Sequence, residues 1–295
     1  EFLMADMLLD PAGTSSDEEL ERRFVSVHAE LTRALEREPQ VAAATYSLTN
    51  PGGEAMMFVE VEGVPLPEQP PSSVVLEGSS LGHLAKVTRV EPGYFDAYRI
   101  EQFAGRRLNA GDAAPGSSAV VVSRMFVDRF FGGGNPLGKR FRYVGRGDVN
   151  PNIAELNRWY EIAGVVSNFP DIQALIMNGL HGHTYVYHAA AKPTMGSTVL
   201  SIRVRGGAPE AFADRLREVA SAVDPSLQLE DIGTFGQGMA ADQAMWKLLA
   251  GLLGGLALSV VALSGAGIYA MMSFTVSQRR REIGIRSALG ADPRR

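Results

Sequence analysis

Cysteine is absent from all 295 residues, which excludes disulfides and thiolate-held metals and leaves the redox compartment open. Histidine is scarce, with five residues, so few imidazoles are at hand for a metal or for acid–base chemistry. Charge is missing altogether from Leu248 to Val276, LLAGLLGGLALSVVALSGAGIYAMMSFTV, a run of 29 residues. A bilayer core needs about 20 apolar residues in a helix. At about 1.5 Å per residue the run is about 43 Å long as a helix, enough to span with tilt. A buried helix of a soluble core rarely runs this far without one charge, so the sequence predicts a transmembrane helix over 246–277.

The charge that is present is uneven. The formal net is −5. Residues 277–295 hold six arginines against Glu282 and Asp292, a net of +4, which leaves −9 for residues 1–276. An acidic body argues against nucleic acid as the main partner. Glu230, Asp231, Asp242 and a single Lys247 precede the apolar run, whereas Arg279, Arg280, Arg281, Arg286, Arg294 and Arg295 follow it. Lysine and arginine collect on the cytoplasmic side, so residues 1–245 are expected outside and 278–295 inside. Within the run, Gly251, Gly255 and Ser259 recur every fourth residue, a small-residue face that would let another helix approach closely. Ile283, Ile285 and Leu289 stand among the arginines that follow, which suits a short amphipathic helix at the cytoplasmic surface. The chain opens on Glu1 rather than Met and closes two residues after a proline, so it is expected to be a piece of a longer protein.

Two stretches of the outer region share one plan. FLMADMLLD reads as a strand, and Leu20, Phe24, Val27, Leu31 and Leu35 then fall at helical spacing behind a Ser16/Glu19 capping box. VAAATYSL is the strand that follows. Near the other end, Leu200, Ile202 and Val204 alternate with polar residues, and Pro209 opens a helix with the stripe Phe212, Leu216, Val219 and Val223. Asp224-Pro225 ends it, and SLQLEDI is the last strand. Between these β-α-β units FVEVEGV, KVTRV, SAVVVS, KRFRYVG, YEIAGVV and HTYVYHA read as strands, and PGYFDAY and MFVDRFF as short helices. EGVPLPEQPPSS is a proline-rich loop. The expected fold is α+β, with two lobes: one from the β-α-β ends, the other a β-rich insertion over about 100–192.

Candidate chemistry is sparse. GGNPLGKR, residues 133–140, has the G-x-x-x-x-G-K spacing of a phosphate loop, but Arg140 stands where a magnesium-binding hydroxyl is needed. A helix-like segment precedes it and a strand-like one follows, the reverse of a phosphate loop, so a turn is expected, with no nucleotide and no cofactor. His181 and His183 could share a strand face and bind metal, but no carboxylate pattern frames them, and a surface position is the simpler reading. Asp17/Glu18/Glu19 and Glu36/Glu38 sit at helix ends, and no nucleophile–base arrangement argues for an enzyme.

A resemblance then enters. RRREIGIRSALG, 279–290, directly after GIYAMMSFTVSQ, resembles the signature of permeases of the MacB/FtsX type, an ABC transporter family. VEPGYFDAYRIEQFAGRRL resembles that family's P-x-Y-F segment and the G-R pair behind it, NPLGKRFR its P-L-G-K-R turn, and YEIAGVV its V-G-V-V strand. VDPSLQLEDIGT resembles the stretch before the second membrane helix. The likeness runs in order along nearly the whole chain and is greatest to the bacterial large permeases with two such halves. It implies a MacB-like periplasmic core domain, a bacterial inner (plasma) membrane location and four membrane helices per unit, of which the second lies here. It also implies a cytoplasmic ATP-binding subunit as the ATPase, a second permease half or copy in a dimer, and a periplasmic or outer-membrane partner protein. By the same likeness Arg279, Arg280, Arg281, Glu282, Gly284, Arg286 and Gly290 form the segment that couples to the ATPase. His188 departs from the family, where proline is frequent. The other reading the residues allow is a single-pass anchored sensor or adhesion domain without ATPase coupling.

Overall fold

The computed structural model describes residues 2–11, 16–51, 53–67, 82–145, 155–169, 184–206 and 208–288, with backbone only over 235–246 and 286–288. In chain order its elements are β1 (Phe2–Leu9), α1 (Asp17–Glu36), β2 (Val41–Ser47), β3 (Ala55–Val61), β4 (His83–Val90), α2 (Tyr94–Ala97), β5 (Gln102–Gly105), β6 (Ala119–Ser123), α3 (Arg124–Phe131), β7 (Arg140–Val144), β8 (Trp159–Val166), β9 (Tyr185–Ala189), β10 (Val199–Val204), α4 (Ala213–Val223), β11 (Leu227–Thr234) and α5 (Phe235–Ala288). Short 3-10 turns lie at Ala110–Ala113 and Pro209–Phe212.

The two β-α-β ends form one layer. Their strands run β11-β1-β10-β2, antiparallel at each step. Each crossover therefore skips one strand, which is the β-α-β-β-α-β arrangement of ferredoxin-like folds. Leu20, Phe24, Val27, Leu31 and Leu35 of α1 are all buried, and with Leu216 and Val219 of α4 they pack on Leu3, Ala5, Met7 and Leu9 of β1. Burying a leucine or phenylalanine side chain stabilises by about 1.5–3 kcal/mol, so this stripe holds the helices to the sheet. Ser16 Oγ accepts the Glu19 N–H at 3.3 Å and starts α1. Arg23 of α1 bonds Asp224, the residue that ends α4, at 2.8 and 3.1 Å and ties the two helices together.

The inserted lobe is a closed barrel. Its ring is β4-β3-β7-β8-β6-β9, and β9 returns to pair with β4 in parallel. Closure removes the exposed edges that an open insertion would present. The insertion was expected to begin near residue 100, but β3 and β4 are ring members, so residues from Ala55 onward belong to it. A period-two pattern shows that a segment is a strand and not which strand it pairs with, which is why the start was misplaced. Met57, Val59, Val87, Val120, Val122, Ile162 and Val186 fill the interior. Phe126 and Phe130 of α3 plug one end. Aromatic contacts run on from there: Phe126 to Phe141 at 5.5 Å, Phe141 to Tyr143 at 5.4 Å and Tyr143 to Tyr160 at 5.3 Å.

The lobes are fastened by α2. Tyr94 and Phe95 pack on the outer face of β9 at Tyr187, while Tyr98 stacks on Phe2 and its hydroxyl donates to Ser201 Oγ at 2.8 Å. Arg203 donates to the Ala97 carbonyl at 2.8 Å, and Ser47 pairs with Val90 to join the barrel to the layer. Lys86 on the barrel's outer face is buried and paired with Glu54 at 3.3 Å.

The chain divides into two units, Glu1–Phe235 and Gly236–Arg295. The described residues of the second are the helix α5, which begins earlier than the expected 246 and runs unbroken past 277. FGQGMAADQAMW offers no proline to stop it, and the tail expected as a separate helix continues the same one to Ala288.

Candidate functional site

Fifty-four residues of α5 give a helix of about 81 Å at roughly 1.5 Å per residue. From Leu248 to Val276 it carries no charge on any side, and it is exposed from Lys247 to Ile285, as suits a helix that crosses a nonpolar solvent. Gly251, Gly255 and Ser259 lie along one face, because a step of four residues turns a helix by little more than one revolution. A methyl group built on Gly251 or Gly255 meets no atom within 4 Å, so that face is uncovered among the described residues. Ser259 Oγ donates to the Gly255 carbonyl at 2.9 Å, and Thr275 does the same to Met271. Both hydroxyls are thereby satisfied inside the helix, as a lipid environment requires. Arg279, Arg280, Arg281, Glu282 and Gly284 are exposed on the same helix, Arg286 lies within it, and Gly290 falls outside the described residues. Glu282 stands four residues before Arg286, the favourable order for a helical charge pair.

The loop with phosphate-loop spacing joins α3 to β7, and five of its amides already have acceptors. Gly133 N–H donates to Val127, Gly134 to Phe131, Gly138 to Ile162 and Lys139 to Pro136, while Leu137 N–H takes the Asn135 side chain. A phosphate cradle needs such amides to point at the ligand. Left-handed Gly132, Gly133 and Gly138 shape the reversal from helix to strand. The resemblance motifs at P-x-Y-F, G-R and A-G-V-V are structural too. Tyr94 and Phe95 are core residues, and Gly105 and Gly164 face each other where β5 crosses β8. A side chain on Gly164 would collide with the Arg106 carbonyl, and one on Gly105 with that of Ala163.

His181 and His183 lie outside the described residues. His188 is inside the barrel, with its Nε2 2.8 Å from the Tyr143 hydroxyl and its ring edge-on to Tyr160 at 4.8 Å. Burial, helped by the Arg89 and Arg158 charges, holds it neutral with its pKa down to about 3. Burial alone lowers His28 of α1 to about 4. Among the described residues no group of three or more histidines and carboxylates converges as metal ligands do. Of the acidic groups at the helix ends, Glu38 pairs with Arg215 at 2.8 Å, and Asp17 to Glu19 form the first turn of α1.

Sequence reasoning missed the open end of the barrel, opposite α3. There Arg89, His188, Tyr160 and Arg158 converge from β4, β9, β8 and the residue before β8 around a cavity of about 260 Å³. Arg89, the Arg158/Tyr160 pair and His188 come from three well-separated stretches of the sequence, and no spacing rule connects them.

The family model of the MacB-like periplasmic core domain matches residues 15–219. The chain belongs to this family. A second match, to the FtsX-like permease C-terminal region, covers 234–295 and so takes in α5 from its start. The two matches put the chain in the MacB/FtsX-type family of ABC transporter permeases. The macrolide export ATP-binding/permease protein MacB of Aggregatibacter actinomycetemcomitans is 24% identical over 232 residues, 76% of this chain and 33% of that protein. YvrN of Bacillus subtilis (strain 168), an uncharacterized ABC transporter permease, is 26% identical over 237 residues, 74% of this chain and 54% of that one. The chain therefore spans about a third to a half of these relatives. Among solved structures, the periplasmic region of MacB from Actinobacillus actinomycetemcomitans aligns over 77% of this chain and 87% of its own at 14% identity, with a TM-score of 0.42.

Proposed function

We propose that this chain is the permease part of a transporter in which ATP hydrolysis in the cytoplasm drives movement of the domain outside. Residues 1–245 form the periplasmic core, the membrane is crossed near 246–277, and residues 278–295 meet a cytoplasmic ATP-binding subunit. The chain carries no catalytic site of its own; hydrolysis falls to that partner. A second permease half or copy packs on Gly251, Gly255 and Ser259, and the outer domain engages cargo or a periplasmic partner protein.

The observation that carries this reading is continuity. β11 ends at Thr234 and α5 begins at Phe235 with no residue between, and the helix then runs unbroken to Ala288. An anchor needs only a tether, and a flexible linker would serve it as well. A strand that passes straight into a helix reaching the arginine-rich segment suits the transmission of motion. The small-residue face supports the same reading, since a lone anchor has no use for close helix approach.

The test inserts Gly-Ser-Gly-Ser between Thr234 and Phe235 in the complex purified with its ATP-binding partner. Spin labels on the outer domains of the two copies should report a distance that changes with ATP, and the insertion should abolish that change while the melting of the outer domain stays the same. A distance indifferent to ATP in the unaltered complex, or no ATP-binding protein in the purified assembly, would sink the proposal.

A further inference from the structure

The strand pairing that joins the layer to the barrel is short. Ser47 of β2 faces Val90 of β4, with the Leu48 N–H donating to the Arg89 carbonyl at 2.8 Å and the Glu91 N–H to the Tyr46 carbonyl at 3.1 Å. Domain hinges form at a few residues of this kind, at the ends of elements. Held by this pairing alone, the barrel would swing against the layer.

The contacts of α2 oppose that swing because they lie away from the pairing. Leu3 and Ala5 of β1 and Leu200 and Ile202 of β10 face the α1 side, so Phe2, Ser201 and Arg203 point to the opposite face of the layer. There Tyr98 stacks on Phe2 at 4.3 Å, its hydroxyl donates to Ser201 Oγ at 2.8 Å, and Arg203 donates to the Ala97 carbonyl at 2.8 Å. β1 is two strands from β2, about 10 Å at the usual strand spacing. A contact that far from the axis resists rotation as the pairing itself does not. On the barrel side, Phe95 meets Tyr187 edge-on at 5.2 Å and Tyr98 meets Phe169 at 5.3 Å. The wall beneath holds the buried Glu54–Lys86 pair at 3.3 Å, and Lys86 also donates to the Tyr185 hydroxyl at 3.3 Å. Buried polar networks hold one arrangement where apolar contacts could slide.

We propose that α2 is a rigid joint that makes the layer and the barrel turn as one body, with Tyr98 as its positioning residue. Tyr98 bridges the two lobes, on Phe2 and Ser201 of the layer and against Phe169 of the barrel. Motion that enters the layer through β11 then reaches the barrel undiminished. That use of the joint rests on the coupling proposed above; the rigidity itself does not, and it is measured without ATP or a partner.

The chain has no cysteine, so spin labels go only where a cysteine is placed. Ser26→Cys on α1 and Asp128→Cys on α3 are exposed positions, one in each lobe. In the full chain in detergent, pulsed electron spin resonance should give one narrow distance distribution between them. Tyr98→Ala should broaden or split it at temperatures well below the melting of the variant. Should Tyr98→Ala not fold, Phe2→Ala, at the start of β1, carries the test and should broaden it in the same way. Leu216→Ala, in the core under α4, should lower the melting temperature and leave the distribution as narrow as the parent's. A broad distribution in the parent, a width unchanged by loss of the Tyr98–Phe2 contact, or equal broadening in Leu216→Ala overturns the proposal. Failure of the ATP-driven distance change with a narrow distribution here would count against the coupling and leave the joint standing.

Discussion

Gly164 has no room for even one methyl group, because the Arg106 carbonyl occupies the place its Cβ would take. Gly105 across from it is also left-handed, at φ 69°. The crossing of β5 over β8 therefore rests on two glycines, and Gly164→Ala should destabilise the domain by about 1–3 kcal/mol, the usual cost of overpacking, read as a lower melting temperature. Both glycines belong to motifs visible in the sequence as family likeness, but only the crossing gives the physical reason for them. The buried histidines set a pH dependence. His28 and His188 titrate near 4 and 3 in the fold and near 6.5 once unfolded. Between those values the unfolded chain binds protons that the native one refuses, so their contribution is complete above about pH 6.5 and is lost as pH falls, by about 1.4 kcal/mol per pH unit for each group. Melting temperatures measured from pH 7 to pH 4 should decline, and His188→Gln should flatten the slope. An unaltered slope would place the acid sensitivity elsewhere.

Among the elements, the helices and most strands were legible because a single periodicity marks each one. The α1 stripe and the alternation in β7, β8 and β10 bury the faces they advertise, and the valine run of β6 is buried on both faces. β5 was not legible: QFAG has four residues, no clean alternation and a terminal glycine, and it is a strand only because Gly164 to Val166 of β8 accept it. The unbroken length of α5 was also missed, because a charge boundary near 277 marks an interface and not a helix end. Leucine at Gly251 and Gly255 should weaken self-association of the chain in bilayers, measured by energy transfer between labelled copies, and leave the outer domain's melting unchanged. Association that resists both changes would remove that face from the dimer.

For the whole molecule, the acidic body and arginine-rich tail support the orientation proposed above and mark the place where coupling is to be tested. Alanine at Glu282 and Arg286 in the intact complex should lower partner ATPase stimulation while the outer domain stays folded; unchanged stimulation would take both out of the coupling role. The loop at 133–140 lies in the barrel lobe with five of its amides occupied, so Lys139→Ala should leave nucleotide titrations of the complex as they were. The sequence by itself determined the α+β class, the membrane helix, the β-α-β ends and the absence of thiol chemistry, because composition and short-range periodicity are local properties of the chain. Tertiary structure alone decided that β3 and β4 close a barrel, that α2 fastens it to the layer, and that Arg89, Arg158, Tyr160 and His188 meet at its mouth. Strand partners are chosen by long-range packing, and residues distant in the chain become neighbours only when the ring closes.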